Sequence, residues 1–207
     1  MNLTEPGDTL AGGLTMPLLR ALAARSTPAS VAQLRRVAGV GTEAGTRRAL
    51  DRLSMSGLVS RDLVGDRAVY SLNYDHLLRD AVADLLGAGD LLVRRLRKEL
   101  GSWNPAPLSA ALYGSAARRD GGEDSDIDLL IIRPALPTKQ ARTDWESQIE
   151  SLRDRVRRWT GNHAQITDRS LAEIRRLVTA KEPIVDSWRR DAVDLAGQPL
   201  EELLAVR

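Results

Sequence analysis

The chain has 207 residues, which is enough for one large domain or two small ones. Its composition, 43% hydrophobic and 28% charged, is ordinary for a globular protein, and no apolar run approaches the roughly 20 residues of a membrane span. The net charge of +2 gives no global argument for nucleic-acid binding, which therefore has to rest on local patches. The chain lacks cysteine, which excludes disulfides and thiolate chemistry, and its N-terminus lacks a secretory pattern. We therefore expect a cytoplasmic protein with no membrane partner.

The first part of the chain predicts three short helices. Leucines at helical spacing around Leu18 indicate the first helix. Ser30 and Gln33 form a capping box before the second helix, which we expect to end at Gly39. The third helix is predicted from about residue 42 to Met55.

A hairpin is predicted directly after these helices. Two β-prone runs, Leu58–Leu63 and Ala68–Leu72, flank a turn at Gly65 and Asp66. Three helices followed by a hairpin is the order of a winged helix, and the short turn between the second and third helices favours it further. We therefore predict a winged helix-turn-helix domain over residues 1–75.

The string TRRALDRLSMSGLVSRD resembles the recognition helix and wing of bacterial winged helix-turn-helix regulators of the MarR and ArsR type. The resemblance implies that the third helix enters the major groove of double-stranded DNA, with the hairpin near backbone phosphates. The predicted DNA-binding residues are Thr46, Arg47, Arg48, Arg52, Arg61 and Arg67. Two alternatives stay open: a solvated face, since acidic residues dilute the positive charge, and a protein-protein module.

Residues 76–104 predict a helical connector. Apolar residues recur near heptad spacing there, but Gly87 and Gly89 interrupt the pattern. The favoured interpretation is a helix packed against a neighbouring domain, and the alternative is a helix that forms a homodimer. The segment Gly101–Pro107 has the composition of a linker.

Beyond the linker, strands alternate with helices, so the chain as a whole belongs to the α+β class. Residues 105–207 form the second predicted domain. The predicted strands are Leu108–Tyr113, Ile127–Ile132 and His163–Thr167, and the predicted helices are Asp144–Trp159, a segment from Ser170 to Ala180, and a last one after Pro183.

The string YGSAARRDGGEDSDIDLLII contains the residues that point to chemistry. Gly114 and Ser115 follow a strand and open a turn, where exposed N–H groups and a hydroxyl can hold phosphate oxygens. Arg118 is close enough in sequence to reach the same anion or to brace the loop. Asp126 and Asp128 lie two apart on a strand and so share a face. Adjacent carboxylates repel unless a cation such as Mg²⁺ lies between them.

This string resembles the G-S-x-A-R-G and S-D-I-D-L signature of the minimal nucleotidyltransferases of the DNA polymerase β superfamily. The resemblance covers about residues 105–170 and implies a mixed sheet flanked by helices. It implies that Ser115 contacts a nucleoside triphosphate, that Asp126 and Asp128 are catalytic ligands of two Mg²⁺ ions, and that a nucleoside monophosphate is transferred to a hydroxyl.

Two positions depart from the family pattern. Arg119 stands where the pattern has glycine, and no third carboxylate is evident on the later strand HAQIT. If Ala164 faces the core, Gln165 occupies the missing position, while Asp168 is one residue out of phase. The sequence thus leaves two hypotheses open. One is a DNA-associated nucleotidyltransferase, and the other is a transcriptional regulator that keeps this domain as a nucleotide sensor or dimerisation platform.

Overall fold

The computed structural model describes residues 1, 2, 7, 12–122 and 124–205. The chain divides into two compact units, one formed by Glu5–Ala88 and the other by Met1–Thr4 together with Gly89–Arg207. This division falls inside the segment predicted as a connector. Much of the N-terminal segment that lacks a secretory pattern lies outside the described residues. In the part of the chain that is described, no helix combines the length and apolarity needed to cross a membrane.

The first unit contains helices around a small antiparallel sheet. Its elements are α1 (Thr15–Ala23), β1 (Ala29–Ser30), α2 (Val31–Ala38), α3 (Glu43–Met55), β2 (Val59–Val64), β3 (Arg67–Leu72) and α4 (Arg79–Leu86). The strand order is β1-β3-β2. The predicted sequence of helices and hairpin is confirmed at the level of these elements, with the two-residue strand β1 in addition. Helix α4 lies in the segment predicted as the helical connector.

Local signals set the helix ends in this unit. The backbone N–H of Ser30 donates to Gln33 Oε1 at 2.8 Å, and the predicted capping box is present. Gly39 ends α2 with φ of +68°, a left-handed conformation that glycine adopts without steric cost. The buried core of the unit combines residues of α1, α2, α3 and the hairpin, with Leu34 and Leu50 fully enclosed.

The second unit is a four-stranded sheet with helices on both faces. Its elements are α5 (Ala88–Leu100, beginning at the boundary), β4 (Ser109–Tyr113), α6 (Gly114–Arg118), β5 (Ile127–Arg133), α7 (Lys139–Thr160), β6 (Ala164–Ser170), α8 (Leu171–Thr179), α9 (Pro183–Asp191), β7 (Val193–Gly197) and α10 (Leu200–Leu204). The order β6-β5-β4-β7 is mixed, because β5 and β6 are parallel and the other pairs antiparallel.

Two separate apolar layers cover this sheet. Leu112 and Leu129 face the layer that contains α5 and α7, where Trp145 is buried. Tyr113 and Leu130 face the layer that contains α8, α9 and α10. The predicted α+β class and the mixed sheet flanked by helices are confirmed.

Three details differ from the sequence expectations. Gly89 lies inside α5, and only Gly87 interrupts the helical run. Strand β7 and helix α10 follow the last predicted helix and were not predicted. The strand β7 is short and lies at the sheet edge, so its sequence carries little of the apolar pattern of a central strand.

Candidate functional site

The turn from β4 into α6 brings Gly114 against the carboxylate of Asp128. Gly114 has φ of +70°, a conformation that L side chains rarely adopt. A Cβ added at Gly114 would collide with Asp128 Oδ2 and lie 3.2 Å from Asp128 Cγ. Glycine is therefore required here for two physical reasons, the backbone conformation and the close approach of the carboxylate.

Asp126 and Asp128 flank Ile127, the first residue of β5, whose side chain is 1% exposed and faces the core. Strand alternation therefore turns both carboxylates away from that core. Asp126 is exposed and Asp128 is partly buried. Burial, followed by the negative charge of Asp126, raises the pKa of Asp128 above its ordinary value, and Arg118 partly opposes this. The charge of Asp126 thus acts on Asp128, as the sequence spacing predicts.

Ser115 and Asp126 line one small pocket, together with Gly121, Ser125 and Asn162. The backbone N–H of Gly122 donates to Ser125 Oγ at 2.8 Å, and Asn162 Nδ2 donates to the Ser125 carbonyl at 2.9 Å, so these bonds hold the loop before β5. A Cβ at Gly121 would lie 2.8 Å from Ser115 Oγ. The Ser115 hydroxyl, the loop glycines and one carboxylate therefore surround a single small space.

Arg118 braces this loop. Its Nε donates to Asp120 at 2.9 Å and its NH1 donates to Asp191 at 2.7 Å. These two hydrogen bonds raise the pKa of Arg118, so it remains a cation. Of the two roles that the sequence left open, the structure contains the bracing contacts, and contact with a triphosphate stays a prediction.

Arg119 occupies a position that suits glycine. Its φ is +60°, in the left-handed region, which explains in physical terms why glycine fits the family pattern there. The guanidinium of Arg119 forms an ion pair with Asp90 of α5.

Gln165 is the residue beside Asp128 on the neighbouring strand. The parallel register of β5 and β6 pairs Asp128 with Gln165, and the Gln165 side chain is exposed. On the same sheet face, the hydroxyl groups of Tyr113 and Thr167 are 3.2 Å apart and share a hydrogen bond. The face that carries Asp128 therefore presents an amide at the position where the resemblance implies a third carboxylate.

Asp168 faces the opposite side of the sheet and cannot take that place. Its register partner is Ile131, which belongs to the layer on the α7 side. Trp145 Nε1 donates to Asp168 Oδ2 at 3.1 Å, and Arg133 lies 3.2 Å from Asp168 Oδ1. The out-of-phase position noted in the sequence thus corresponds to a residue held in a separate set of polar contacts.

The acidic pair fits the donor set of Mg²⁺, a hard cation that proteins often bind through one or two carboxylates plus phosphate oxygens of the substrate. Among the residues that the structure describes, no three or more His, Cys, Asp or Glu are grouped closely enough to hold a metal on their own. Asp126 and Asp128 would therefore hold the ion together with a triphosphate and water.

The predicted DNA face needs one correction. Thr46 is fully buried, with 0% of its surface exposed, so the prediction that it contacts DNA is wrong. The buried stripe of α3 extends one turn further toward the N-terminus than expected, from Ala49 and Leu50 to Thr46, which lies three and four residues before them. Arg47 and Arg48 are exposed on the same helix, and Arg47 lies 3.7 Å from Glu43.

The remaining arginines of the predicted DNA face are also exposed. Arg52 lies near the end of α3. In the hairpin, Arg61 pairs with Tyr70 and Arg67 pairs with Val64, so strand alternation places Arg61 and Arg67 on opposite faces. Contact of either arginine with DNA stays a prediction.

The sequence interpretation missed Asp191, a carboxylate buried beside the candidate site, whose side chain is 2% exposed. It is separated from Arg118 by 73 positions, and neither a motif nor a periodic pattern joins the two. Only the packing of α9 against α6 brings them together.

A comparison with protein-family models agrees with this geometry, whereas two other comparisons found no match. A search of curated proteins found no match, and neither did a search of solved structures. A family model described as a nucleotidyltransferase domain matches residues 93–173, a range that includes Gly114, Ser115, Asp126 and Asp128. This part of the chain is therefore a nucleotidyltransferase domain.

Proposed function

We propose that the second unit binds a nucleoside triphosphate with Mg²⁺ and transfers its nucleoside monophosphate to an acceptor hydroxyl. The observation that carries this proposal is the contact of Asp128 with the backbone of Gly114, in a turn whose Ser115 shares a pocket with Asp126. Carboxylates and a turn that could hold phosphate lie together, as nucleotidyl transfer requires.

In this mechanism Gly114 and Ser115 hold the triphosphate tail through backbone N–H groups and the hydroxyl, and Arg118 either adds charge or keeps the turn in place. Asp126 and Asp128 would hold two Mg²⁺ ions, which supply neutralisation of phosphate charge and activation of the acceptor hydroxyl. The acceptor oxygen forms a bond to the α-phosphorus, the bond between the α-phosphorus and the bridging oxygen breaks, pyrophosphate leaves, and the hydroxyl proton is released to solvent.

A second function is favoured by Gln165. A neutral amide binds Mg²⁺ weakly compared with a carboxylate, so the position beside Asp128 supports ligand binding better than catalysis. In this alternative the protein is a non-enzymatic transcriptional regulator that uses the domain as a nucleotide sensor or dimerisation platform.

One experiment separates the two functions. Purified protein is incubated with Mg²⁺ and each α-labelled nucleoside triphosphate, and label is followed onto protein and small molecules while equilibrium binding is measured in parallel. The test variant is Asp126→Asn/Asp128→Asn. The control is Asp124→Asn, an exposed acidic residue of the same loop.

Transfer by wild type and by the control, lost in the double variant, supports the enzyme. Binding without transfer, lost in the double variant, supports the sensor. If wild type neither binds triphosphate nor transfers label, the enzyme and the nucleotide sensor are both refuted, and only a dimerisation platform is left.

We further propose that the first unit is a winged helix that binds double-stranded DNA through α3. The order of helices and hairpin, together with exposed Arg47, Arg48 and Arg52 on one helix, supports this proposal. Guanidinium groups suit both phosphates and the guanine edge in the major groove.

The DNA proposal is tested on the full-length protein. We expect Arg47→Ala/Arg48→Ala to weaken binding to DNA from the region upstream of its own gene by about tenfold or more and to reduce the salt dependence of the affinity by about 2 in slope. Arg35→Ala/Arg36→Ala removes the same charge from α2 and is the control. Equal losses in the two variants would mean general charge attraction and would remove α3 as the recognition helix.

A further inference from the structure

Asp191 is the last residue of α9 and its carboxylate is enclosed between two guanidinium groups. Arg118 NH1 donates to Asp191 Oδ2 at 2.7 Å, and Arg190 donates through Nε to Oδ1 at 2.8 Å and through NH2 to Oδ2 at 3.1 Å. The Asp191 side chain is 2% exposed. A buried carboxylate with this many donors is fixed in place, because loss of a donor would leave the buried charge less well compensated.

The helix that Asp191 contacts is too short to be stable on its own. Helix α6 consists of Gly114–Arg118, and isolated helices of this length do not form in water. Its N-terminal end carries the turn with Ser115, and its C-terminal end carries Arg118. The direct hydrogen bond between Arg118 and Asp191 therefore ties the far end of α6 to α9, and α6 also packs on α9.

We propose that Asp191 is a positioning residue for the triphosphate-binding turn, which it orients through Arg118. This inference rests on the proposed nucleotide-binding function. Asp191 lies outside residues 93–173, so the family match gives it no role. The contact also explains why a helix of five residues keeps Gly114 against Asp128 while the chain turns sharply at Arg119.

The test uses two readouts on the full-length protein. The first is hydrogen–deuterium exchange of residues 114–120 in the free protein, where the N–H of Asp120, bonded to the Ser115 carbonyl at 3.1 Å, reports on this loop. The second is affinity for inorganic triphosphate with Mg²⁺, a probe that does not depend on the base. The variant is Asp191→Asn, and the control is Glu99→Gln, which breaks the 2.8 Å ion pair with Arg155 away from α6.

We expect Asp191→Asn to raise exchange in residues 114–120 by about tenfold and to weaken triphosphate binding by a similar factor. Glu99→Gln should change neither. In the Arg118→Met background, Asp191→Asn should add nothing to the exchange, because Asp191 acts through Arg118. If Asp191→Asn fails to fold, Arg118→Lys loosens the same pair from its exposed side and should raise the same exchange.

Unchanged exchange in residues 114–120 overturns the positioning role, and so does an equal effect of Glu99→Gln. If wild type binds no triphosphate, the proposed function fails, but the exchange readout still decides whether Asp191 orients the turn. The two failures are therefore distinguishable.

Discussion

Substitution of Gly114 by alanine tests the geometry on which the candidate site depends. The new methyl group would meet Asp128 Oδ2, and the residue would remain at φ of +70°. The first effect is specific to the site, because it pushes the carboxylate away from the turn. The second is a general cost of a left-handed alanine, about 1–2 kcal/mol.

Gly161 provides the matched control for backbone strain. It ends α7 with φ of +78°, and a Cβ there would meet nothing within 4 Å. Gly161→Ala should therefore cost only the backbone term of about 1–2 kcal/mol. Gly114→Ala adds steric overlap of about 1–3 kcal/mol, for a total of about 2–5 kcal/mol. For a chain of this size, each kcal/mol lowers Tm by about 2–4 °C.

The assay measures Tm and affinity for inorganic triphosphate with Mg²⁺ in both variants. We expect Gly114→Ala to have the lower Tm and to lose most of its triphosphate affinity, while Gly161→Ala keeps wild-type affinity. Wild-type affinity in Gly114→Ala would refute the assignment of this turn as the phosphate site, whatever its effect on stability.

Four further predictions concern charge, burial and metal binding. Asp128→Asn should raise Tm without metal at neutral pH, because burial and a neighbouring carboxylate raise the pKa of Asp128 and so disfavour its charged form in the folded protein. The gain in Tm should disappear below pH 3.8, the ordinary pKa of this group, in a series of Tm measurements against pH. Glu173→Gln should lower Tm at neutral pH, because the hydrogen bonds from Ser170 lower the pKa of Glu173 and so stabilise the folded protein. This difference from wild type should disappear on acidification in the same series of Tm measurements. Thr46→Val should stabilise the first unit by about 1 kcal/mol in denaturant unfolding, because Thr46 Oγ1 is buried without a hydrogen-bond partner among the described residues. Thr46→Ala should destabilise the unit, and the opposite order of the two variants would contradict the burial of an unpaired hydroxyl at this position. Gln165→Asp should raise the affinity for Mg²⁺, and it should create or increase transfer of label if the missing carboxylate limits transfer. An unchanged Mg²⁺ affinity would contradict the placement of Gln165 beside the metal site.

Local signals explain why so much of the fold could be predicted. The capping boxes at Ser30 and Ser170 depend on residues three apart, so the sequence contains both partners of each bond. The strand Ile127–Arg133 is apolar except at Asp128 and Arg133, as expected for a strand covered on both faces. The spacing of Asp126 and Asp128 fixes their shared side because strand alternation is a property of the backbone.

The missed features depend on contacts between distant segments. Thr46 is buried because α3 packs against its own core, a fact that the polarity of threonine hides in the sequence. Strand β7 completes the sheet by pairing with β4, more than 80 positions earlier in the chain, and the register shift between Ala110 and Ala111 shows that this pairing is irregular. Asp191 acquires its partner Arg118 in the same way, by packing of α9.

The electrostatics of the acidic pair link the two proposed functions. Burial and the charge of Asp126 disfavour the anionic form of Asp128, so a divalent cation with a triphosphate relieves a cost already present in the free protein. Binding would therefore stabilise the folded domain by RT ln(1 + [L]/Kd), whether or not chemistry follows. A rise in Tm with Mg²⁺ and triphosphate is common to enzyme and sensor, and its loss in Asp126→Asn/Asp128→Asn would locate the ligand. The difference between the two functions then lies at Gln165, because an amide beside Asp128 changes what the site can catalyse far more than what it can bind.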